Sequence, residues 1–184
     1  MRKHNASFGQ YRVARKVKSS QDNPMPATLK TTKRIGLISD THGLMRPEAL
    51  DALRNSDLLI HSGDIGKPEV IIALQEIAPL VAIKGNNDRG PWARRLPDTK
   101  KIALGNTRLY VIHNVNELDF DPARRGFRVV IAGHSHKPAI HTKDNVLFIN
   151  PGSAGPRRFK LPICVGRLTI QGESIEAKII ELAI

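Results

Sequence analysis

The stretch Leu37-Ile-Ser-Asp40-Thr-His42-Gly43 joins an apolar run to a carboxylate and an imidazole that are two residues apart. Side chains alternate along extended backbone, so Asp40 and His42 are predicted to project to the same side if that geometry continues. A carboxylate oxygen and an imidazole nitrogen aimed at one point suit a divalent metal such as Mn, Fe, Ni or Zn. For this pair alone, the competing interpretation is a loop-capping Asp beside a surface His.

Length and composition indicate one globular domain. The chain has 184 residues, of which 40% are hydrophobic and 25% are charged, as is usual for such a domain. No apolar run approaches the length of a membrane span, so no membrane partner is expected. Cys164 is the single cysteine, so an internal disulfide is impossible. A reducing compartment, and hence a cytoplasmic location, is the prediction.

The formal net charge of +12 raises the question of a nucleic-acid partner. Residues 1–34 hold nine Lys or Arg residues against one acid, which accounts for most of that excess. A stretch without hydrophobic periodicity is typical of disorder, so we predict a disordered basic extension over residues 1–33 and a folded domain over residues 34–184. The extension could be inert, a transit-like leader or a weak polyanion-binding arm, and Met25 could be the true start. Nucleic-acid binding beyond weak tail electrostatics is not expected.

Apolar runs alternate with helical segments in the first half of the domain. Three strands are predicted at 35–39, 57–61 and 79–83, with helices at 48–54 and 68–77 between them. This order implies right-handed crossovers and a parallel sheet, and ligands gather at the carboxyl ends of such strands.

The second half is richer in strands. A hairpin is predicted at 101–112, a helix or irregular crossover at 116–126, a strand at 127–132, and two hairpins that turn near Asn145 and Gly172. A parallel half followed by an antiparallel half predicts an α/β fold of two sheets packed face to face, with helices on the outer surfaces.

Metal-capable side chains stand at five of these strand ends. They are Asp40, His42, Asp64, Asn86, His113, His134 and His136. A carboxylate can bridge two cations, and Asp64 is the predicted bridge because it follows the middle strand of the first three. Two divalent ions would bring the pKa of a bridging water to about 7, which supplies a hydroxide nucleophile for attack at phosphorus. Chance placement is the alternative for each histidine taken singly.

The motifs Asp40-x-His42, Gly63-Asp64, Gly85-Asn86-x-Asp88, His113 and Gly133-His134-x-His136 resemble, in this order, the signature of calcineurin-like metallophosphoesterases. The similarity covers about residues 34–184 and is greatest to the small phosphodiesterase branch of the YfcE and MJ0936 type, which also shares Asn150-Pro-Gly-Ser153. The resemblance implies a two-sheet β-sandwich flanked by helices. It also implies that Asp40, His42, Asp64 and His136 hold one ion. Asp64, Asn86, His113 and His134 would hold the other, with Asp64, Asn86 and His113 contributing directly to catalysis.

Other residues have roles that the resemblance or the local pattern implies. Asp88 would orient neighbouring ligands or merely cap its turn. Arg157 and Arg158 follow a Gly/Pro loop, and Arg157 in particular could bind phosphate, although two solvated surface arginines are the alternative. His61 lies within its strand and is expected to be a packed core histidine.

Two positions depart from the family pattern. Asn87 stands where many relatives have a His that protonates the leaving group, so Asn87 is expected to contact substrate without acting as an acid. If another residue supplies that proton, His61 is the reserve candidate. The sequence His113-Asn114-Val115 lacks the second histidine that relatives commonly have there, which leaves the substrate contacts at that position open.

The sequence therefore predicts a dinuclear metal-dependent phosphodiesterase that acts on a small phosphodiester. Mn²⁺ is the expected ion, with Ni²⁺, Fe²⁺ or Zn²⁺ as alternatives. The competing function is a catalytically silent Vps29-like scaffold of the same fold, although such scaffolds have lost ligands that are all present here. A homo-oligomer is compatible with the sequence.

Overall fold

The computed structural model describes residues 32–184, so the extension predicted over residues 1–33 lies outside the described residues except for its last two positions. Thr32 and Lys33 form the start of the first strand, where they pair with Gln171 and Ile170. This strand therefore includes two residues that the prediction assigned to the extension.

Ten strands and two short α-helices make up this part of the chain. They are β1 (Thr32–Ile38), α1 (Pro47–Leu53), β2 (Leu58–His61), α2 (Pro68–Gln75), β3 (Leu80–Ala82), β4 (Thr99–Leu104), β5 (Thr107–Ile112), β6 (Val129–Ile131), β7 (Ala139–Lys143), β8 (Val146–Asn150), β9 (Cys164–Gln171) and β10 (Ser174–Glu181). Both helices begin with proline. Proline fits the first turn of a helix because a backbone N–H at that position would have no partner within the helix. Within residues 32–184 no helix is long and apolar enough to cross a membrane.

The strands form two five-stranded sheets, and both sheets are mixed. The first has the order β10-β9-β1-β2-β3, and the second has the order β4-β5-β6-β8-β7. β1, β2 and β3 are parallel, as predicted, but the C-terminal hairpin β9–β10 joins this same sheet in antiparallel pairing. In the second sheet β5, β6 and β8 are parallel. The predicted division into a parallel half and an antiparallel half of the chain is therefore wrong.

The main core lies between the two sheets, which confirms the predicted sandwich. Ile35 and Leu37 of β1 face Val111 of β5 and Ile131 of β6 in one fully buried cluster. Ile38, which projects to the opposite side of β1, packs instead into the cluster beneath α1 and α2. Alternation along β1 thus serves two cores, which explains why this strand reads as a continuous apolar run.

Helices cover only one outer face of the sandwich. α1 and α2 pack on the first sheet. The outer face of the second sheet is covered by the crossover between β5 and β6, where Phe120 and Phe127 pack against Tyr110. This crossover contains a single 3-10 turn at Val115–Glu117, so the irregular alternative is the one observed. Within residues 32–184 the α-helices that flank the sandwich therefore lie on the first sheet.

The dispensability of the extension is testable by truncation. A chain that begins at Met25 should match the full chain in Tm and in kcat, because it keeps all of β1. A chain that begins at Ile35 loses the pairs between Thr32–Arg34 and β9. Its Tm should fall by roughly 5 °C, as expected for about 1–2 kcal/mol of lost ladder hydrogen bonds. Loss of folding in the chain that begins at Met25 would contradict this interpretation.

Candidate metal centre

The carboxyl ends of five strands from both sheets meet at one edge of the sandwich. Asp40 follows β1, Asp64 follows β2, Asn86 follows β3, His113 directly follows β5, and His134 follows β6. Parallel strands place their carboxyl ends at the same edge, and face-to-face packing brings the two edges together. The sequence-predicted ligands are thereby assembled from segments up to about 90 residues apart, such as His42 and His136.

The backbone at these ends is left-handed rather than extended. φ is positive at Asp40, His42, Asp64, His134 and His136, with values between 47° and 67°. Non-glycine residues rarely adopt this conformation, and when they do it is commonly at functional sites. Asp40 and His42 do converge with the other ligands. The prediction attributed this convergence to alternation of side chains along extended backbone, and that reason was wrong.

Backbone hydrogen bonds hold the ligand loops in register. The amides of Asp40, His42 and Gly43 donate to the carbonyls of Gly63, Asp64 and Ile65 at 3.0, 2.9 and 2.7 Å. These bonds continue the β1–β2 pairing beyond both strands, so the two loops cannot move independently.

Asp88 ties the third loop to this pair. Its carboxylate accepts hydrogen bonds from the amides of Ile65, Gly66 and Gly85 at 3.1, 2.7 and 2.8 Å. The bond from Gly85 closes its own turn, and the other two reach the Asp64 loop. The Asp88 carboxylate therefore performs both predicted roles, since it caps its own turn and supports the loop that carries a ligand.

Asp40, His42 and His136 form one group of ligand atoms. The Nε2 atoms of His42 and His136 lie 3.3 Å apart, and His136 Nε2 lies 3.3 Å from Asp40 Oδ1. The other oxygen of Asp40 accepts a hydrogen bond from the His134 amide at 3.1 Å. One Asp40 oxygen is thus fixed by the backbone, and the other faces the imidazoles.

A second group consists of Asp40, Asp64 and His113. His113 Nδ1 lies 2.8 Å from the Ser62 carbonyl, to which it donates, so the lone pair of the neutral ring is on Nε2. That Nε2 is 3.5 Å from Asp64 Oδ2. Asn86 and His134 adjoin this group, and their Oδ1 and Nδ1 atoms are 3.1 Å apart. The structure therefore brings together all seven predicted ligands.

These residues fit divalent metal ions. Four buried side-chain polar atoms within residues 32–184 lack a hydrogen-bond partner, and two of them are Asp40 Oδ1, beside His136 Nε2, and His113 Nε2, beside Asp64. Such atoms are costly unless something else satisfies them. Two nitrogens at about 2.1 Å from a tetrahedral ion would lie about 3.4 Å apart, close to the 3.3 Å between His42 and His136. Mixed oxygen and nitrogen donors suit Mn, Fe, Ni or Zn.

The electrostatics favour an ionised Asp64 and a neutral His42. Burial alone raises the pKa of Asp64, but the interaction with His113 and the hydrogen bonds from Asn87 outweigh it and hold the pKa below its usual range. Burial lowers the pKa of His42, and the nearby Arg158 cation acts in the same direction. For His113, burial lowers the pKa, but Asp64 and the Ser62 carbonyl together raise it above the usual value.

Asn87 contacts a ligand directly. Its amide N–H and its side-chain Nδ2 donate to the two oxygens of Asp64 at 2.8 and 2.6 Å. The sequence assigned Asn87 to substrate binding, and its polar contacts in this structure orient the Asp64 carboxylate instead.

Of the two predicted arginines, Arg158 is the one beside the metal centre. Arg158 Nη2 lies 3.5 Å from His42 Nε2. Arg157 Nη1 donates to the Leu161 carbonyl at 3.3 Å within its own loop. The predicted phosphate contact at Arg157 is therefore not supported by its position, whereas Arg158 lies where such a contact is possible.

His61 is a core histidine, as predicted, and it cannot be the reserve acid. It is fully buried, and its Nδ1 accepts from the Gly63 amide at 3.2 Å. Its Nε2 must then carry the proton, which it donates to Thr41 Oγ1 at 3.0 Å, and Thr41 donates to the Ile65 carbonyl. Burial lowers the pKa of His61 to about 3, so this imidazole is neutral and both nitrogens are engaged.

Ser153 and Asn150 support the metal centre, and neither had a predicted role. Ser153 Oγ donates to the Asp40 carbonyl at 2.9 Å, and Asn150 Nδ2 donates to the Gly133 carbonyl at 2.7 Å. These two hydrogen bonds hold the backbone at Asp40 and at Gly133, on each side of the metal centre. The run Asn150-Pro-Gly-Ser153 was the available signal, because Asn, Gly and Ser between strands favour side-chain contacts to backbone.

A sandwich with a mixed oxygen and nitrogen metal centre at its strand ends defines a class of metal-dependent hydrolytic proteins. Residues 34–173 match the family model described as the calcineurin-like phosphoesterase superfamily domain. The chain belongs to this superfamily, which confirms the predicted resemblance.

Proteins similar to this chain include one named as a probable metallophosphoesterase and one named as a phosphodiesterase. A probable metallophosphoesterase from Methanothermobacter thermautotrophicus is 34% identical over 158 residues, which are 79% of this chain and 91% of that protein. The phosphodiesterase MJ0936 from Methanocaldococcus jannaschii is 28% identical and covers 65% of this chain and 82% of its own length. Vacuolar protein sorting 29 from Cryptosporidium parvum has the same fold, with a TM-score of 0.70, 19% identity, and coverage of 83% of this chain and 92% of that chain.

The buried His61 predicts how stability changes with pH. Its pKa is about 3 in the folded chain and about 6.5 when unfolded. The stabilisation is complete above pH 6.5 and is lost as the pH falls from about 6.5 toward 3, because only the unfolded chain takes up the proton. Between pH 7 and 5 this histidine should contribute a loss of about 2 kcal/mol in unfolding free energy.

Chemical denaturation of the unmodified protein and of the His61→Asn variant at several pH values tests this. Asn keeps an acceptor for the Gly63 amide and removes the titration, so the variant should be less stable overall but should lose less stability between pH 7 and 5. Parallel pH profiles would contradict the assignment.

Proposed function

We propose that the chain is a dinuclear metal-dependent phosphoesterase that prefers phosphodiesters. The observation that carries the proposal is the pair of ligand groups that share Asp40, with buried unpartnered atoms on Asp40 and His113 facing into them. Asp64 supports the pairing, since its Oδ2 lies 3.9 Å from His42 Nε2 and 3.5 Å from His113 Nε2. One carboxylate oxygen is thus within reach of both groups.

Seven side chains would hold the two ions. The first ion would take Asp40, His42, Asp64 and His136, and the second would take Asp64, Asn86, His113 and His134. When bound, such ions supply a water of lowered pKa and neutralise charge on phosphoryl oxygens. Mn²⁺ is the ion we propose first, with Ni²⁺, Fe²⁺ or Zn²⁺ able to use the same ligands.

The protein's own groups prepare this chemistry. Asn87 fixes both oxygens of Asp64, and Ser62 fixes the His113 ring. Arg158 places a permanent cation beside His42, where a phosphate anion would approach. A groove of about 370 Å³ adjoins Asn86 and His113 on the other side and has room for one arm of an ester.

The scaffold alternative rests on fold likeness alone. The Vps29 structure shares 19% identity, which says nothing about activity. All seven residues are present in the sequence, and five of them lie in the two ligand groups, which favours the enzyme. A small phosphodiester substrate and a cytoplasmic location remain part of the proposal.

Metal dependence is the direct test. Hydrolysis of bis(p-nitrophenyl) phosphate should stop in chelator and return with added Mn²⁺. Asp64→Ala should stay at the background rate at every metal concentration, because that change removes the carboxylate shared by both ions. Asp51→Ala is the matched control, since Asp51 is exposed on α1 and pairs only with Arg54. Full turnover in chelator, or in Asp64→Ala, would contradict the two-ion proposal.

Because Asn87 occupies the position of the general acid, we predict that the rate depends steeply on the pKa of the leaving group. An amide cannot donate a proton as a general acid does, and that contribution is typically worth about 10²–10⁴-fold. Nitrophenyl esters should therefore react far faster than alkyl diesters. Since His61 is buried and engaged, it cannot compensate.

A series of substituted phenyl and alkyl diesters gives the slope of log kcat/KM against leaving-group pKa. Asn87→His should flatten that slope by helping the poor leaving groups, provided that the imidazole reaches the leaving oxygen, whereas Asn87→Gln should keep it steep. A shallow slope in the unmodified protein would mean that some other group supplies the proton.

A further inference from the structure

The loop formed by residues 155–161, here called the rim loop, is anchored to the metal centre at its start. The Ala154 amide donates to the Ser39 carbonyl at 3.1 Å, immediately before the loop. The Arg46 guanidinium donates to the Gly155 carbonyl at 3.2 and 3.4 Å. A Cβ at Gly155 would collide with the carbonyls of Asp40 and Thr41. The loop therefore begins in direct contact with the backbone that carries Asp40.

Arg158 places a free cation on this loop. Its Nη2 is 3.5 Å from His42 Nε2. Among the residues that the structure describes, no carboxylate lies within ion-pair distance of it, whereas Arg34, Arg54 and Arg124 each have one. A guanidinium that is unpaired and adjoins a metal ligand is available to an anion bound at that metal.

Phe159 follows directly and is unusual in two respects. Its side chain is 92% exposed, whereas the next most exposed large apolar residue in the described range, Ile72, is 57% exposed. Its φ is +54°, a conformation that a bulky side chain disfavours. The fold gains no buried area from this ring and tolerates a strained backbone to present it.

The opposite side of the metal centre has the reverse charge. The groove beside Asn86 and His113 is lined by Asp98, Glu117 and Asp119, and its one lysine pairs with Asp98. An anionic phosphate is disfavoured along that wall and favoured beside Arg158. Arg158 of the rim loop thus adjoins the side from which the phosphate would come, and Phe159 is its exposed neighbour in the chain.

We propose that the rim loop is the substrate-recognition element of this site, in which Arg158 binds a non-bridging phosphate oxygen and Phe159 stacks on a planar aromatic group in one arm of the ester. The favoured substrates are therefore phosphodiesters with an aryl or nucleobase arm. This inference rests on the proposed phosphodiesterase function. A flat exposed ring stacks on any aromatic plane, so the preference concerns planarity rather than a particular base.

Equilibrium binding tests the inference without relying on turnover. Calorimetry with the Mn²⁺-loaded full chain would compare inorganic phosphate, cyclohexyl phosphate, phenyl phosphate and adenosine monophosphate. Phenyl phosphate should bind roughly threefold to tenfold more tightly than cyclohexyl phosphate, as expected for ring stacking. A gain shared by adenosine monophosphate identifies any planar arm as the ligand, and a Phe159-dependent gain for that nucleotide alone restricts the arm to a nucleobase.

Four variants test the roles of the two side chains. Phe159→Leu should abolish the preference for the planar ligand and leave the Kd of inorganic phosphate within about twofold, since the ring makes no phosphate contact. Arg158→Gln should weaken all four ligands by roughly tenfold and keep the preference. Lys160→Gln removes the same charge from the same loop and should have little effect. Phe159→Gly should leave Tm unchanged or raised, because glycine adopts the left-handed backbone freely.

Four outcomes would decide the matter against the inference. These are equal binding of phenyl and cyclohexyl phosphate with no Phe159-dependent gain for adenosine monophosphate, an unchanged preference in Phe159→Leu, equal losses in Lys160→Gln and Arg158→Gln, and unaltered phosphate binding in Arg158→Gln. A separate assay of bis(p-nitrophenyl) phosphate hydrolysis tests the enzyme itself. A Phe159-dependent preference without hydrolysis would refute the phosphodiesterase and retain the rim loop as a ligand-binding element.

Discussion

The hydrogen bonds between the loop after β1 and the loop after β2 are the constraint on which the metal centre depends. Five of its residues have left-handed backbone, a conformation that costs about 1–2 kcal/mol for each such residue. Strain of that size persists only where surrounding contacts over-determine the conformation. Here the amides of Asp40, His42 and Gly43 are each bonded to the neighbouring loop, and Asp88 bonds that loop to a third. The strain is therefore held by the parallel pairing of the sheet itself.

Close approach of backbones is the second requirement of this arrangement. A Cβ at Gly85 would collide with the Asp64 carboxylate, and one at Gly133 would collide with the Ser39 hydroxyl and crowd Asp40. Glycine at these two positions lets each acid lie directly against the chain that follows another strand. The same packing leaves Asp40 Oδ1 and His113 Nε2 buried and without a hydrogen-bond partner. The same close packing therefore makes the site rigid and leaves two of its ligand atoms without hydrogen-bond partners.

The two-sheet sandwich and the place of candidate ligands at its strand ends were predictable from sequence, whereas the membership of each sheet was not. Ligands at strand ends are a local signal, since each one follows an apolar run in the chain, and parallel topology then implies that they meet. Sheet membership is a long-range property. Nothing near β9 indicates that it pairs with β1 rather than with β8, so the mixed first sheet was missed. The left-handed turns at Asp40 and His42 were missed because such backbone is uncommon for any residue other than glycine, even though Asp and His adopt it more often than most residues do.

The choice between Arg157 and Arg158 shows another limit of sequence reasoning. The two residues are adjacent and chemically identical, and only the course of the loop decides which guanidinium reaches His42 and which one bonds to Leu161. Likewise, the position of Asn87 in the motif indicated contact with substrate, but its distance to Asp64 decides that it orients a carboxylate.

Charge around the metal centre is distributed asymmetrically, and this has consequences for how a diester would lie. The Asp64 carboxylate is ionised at its floor, because the proximity of His113 and hydrogen bonds from Asn87 keep the pKa of Asp64 low despite burial. Asp98, Glu117 and Asp119 line the groove on the Asn86 side, whereas Arg158 adjoins His42 on the other. A diester carries one negative charge, and in this field its charged oxygens are drawn toward the arginine while a neutral arm is tolerated in the groove. The protein framework would thus orient the ester before any contact with its side groups is made, and the rim loop can then discriminate between arms that arrive in one orientation.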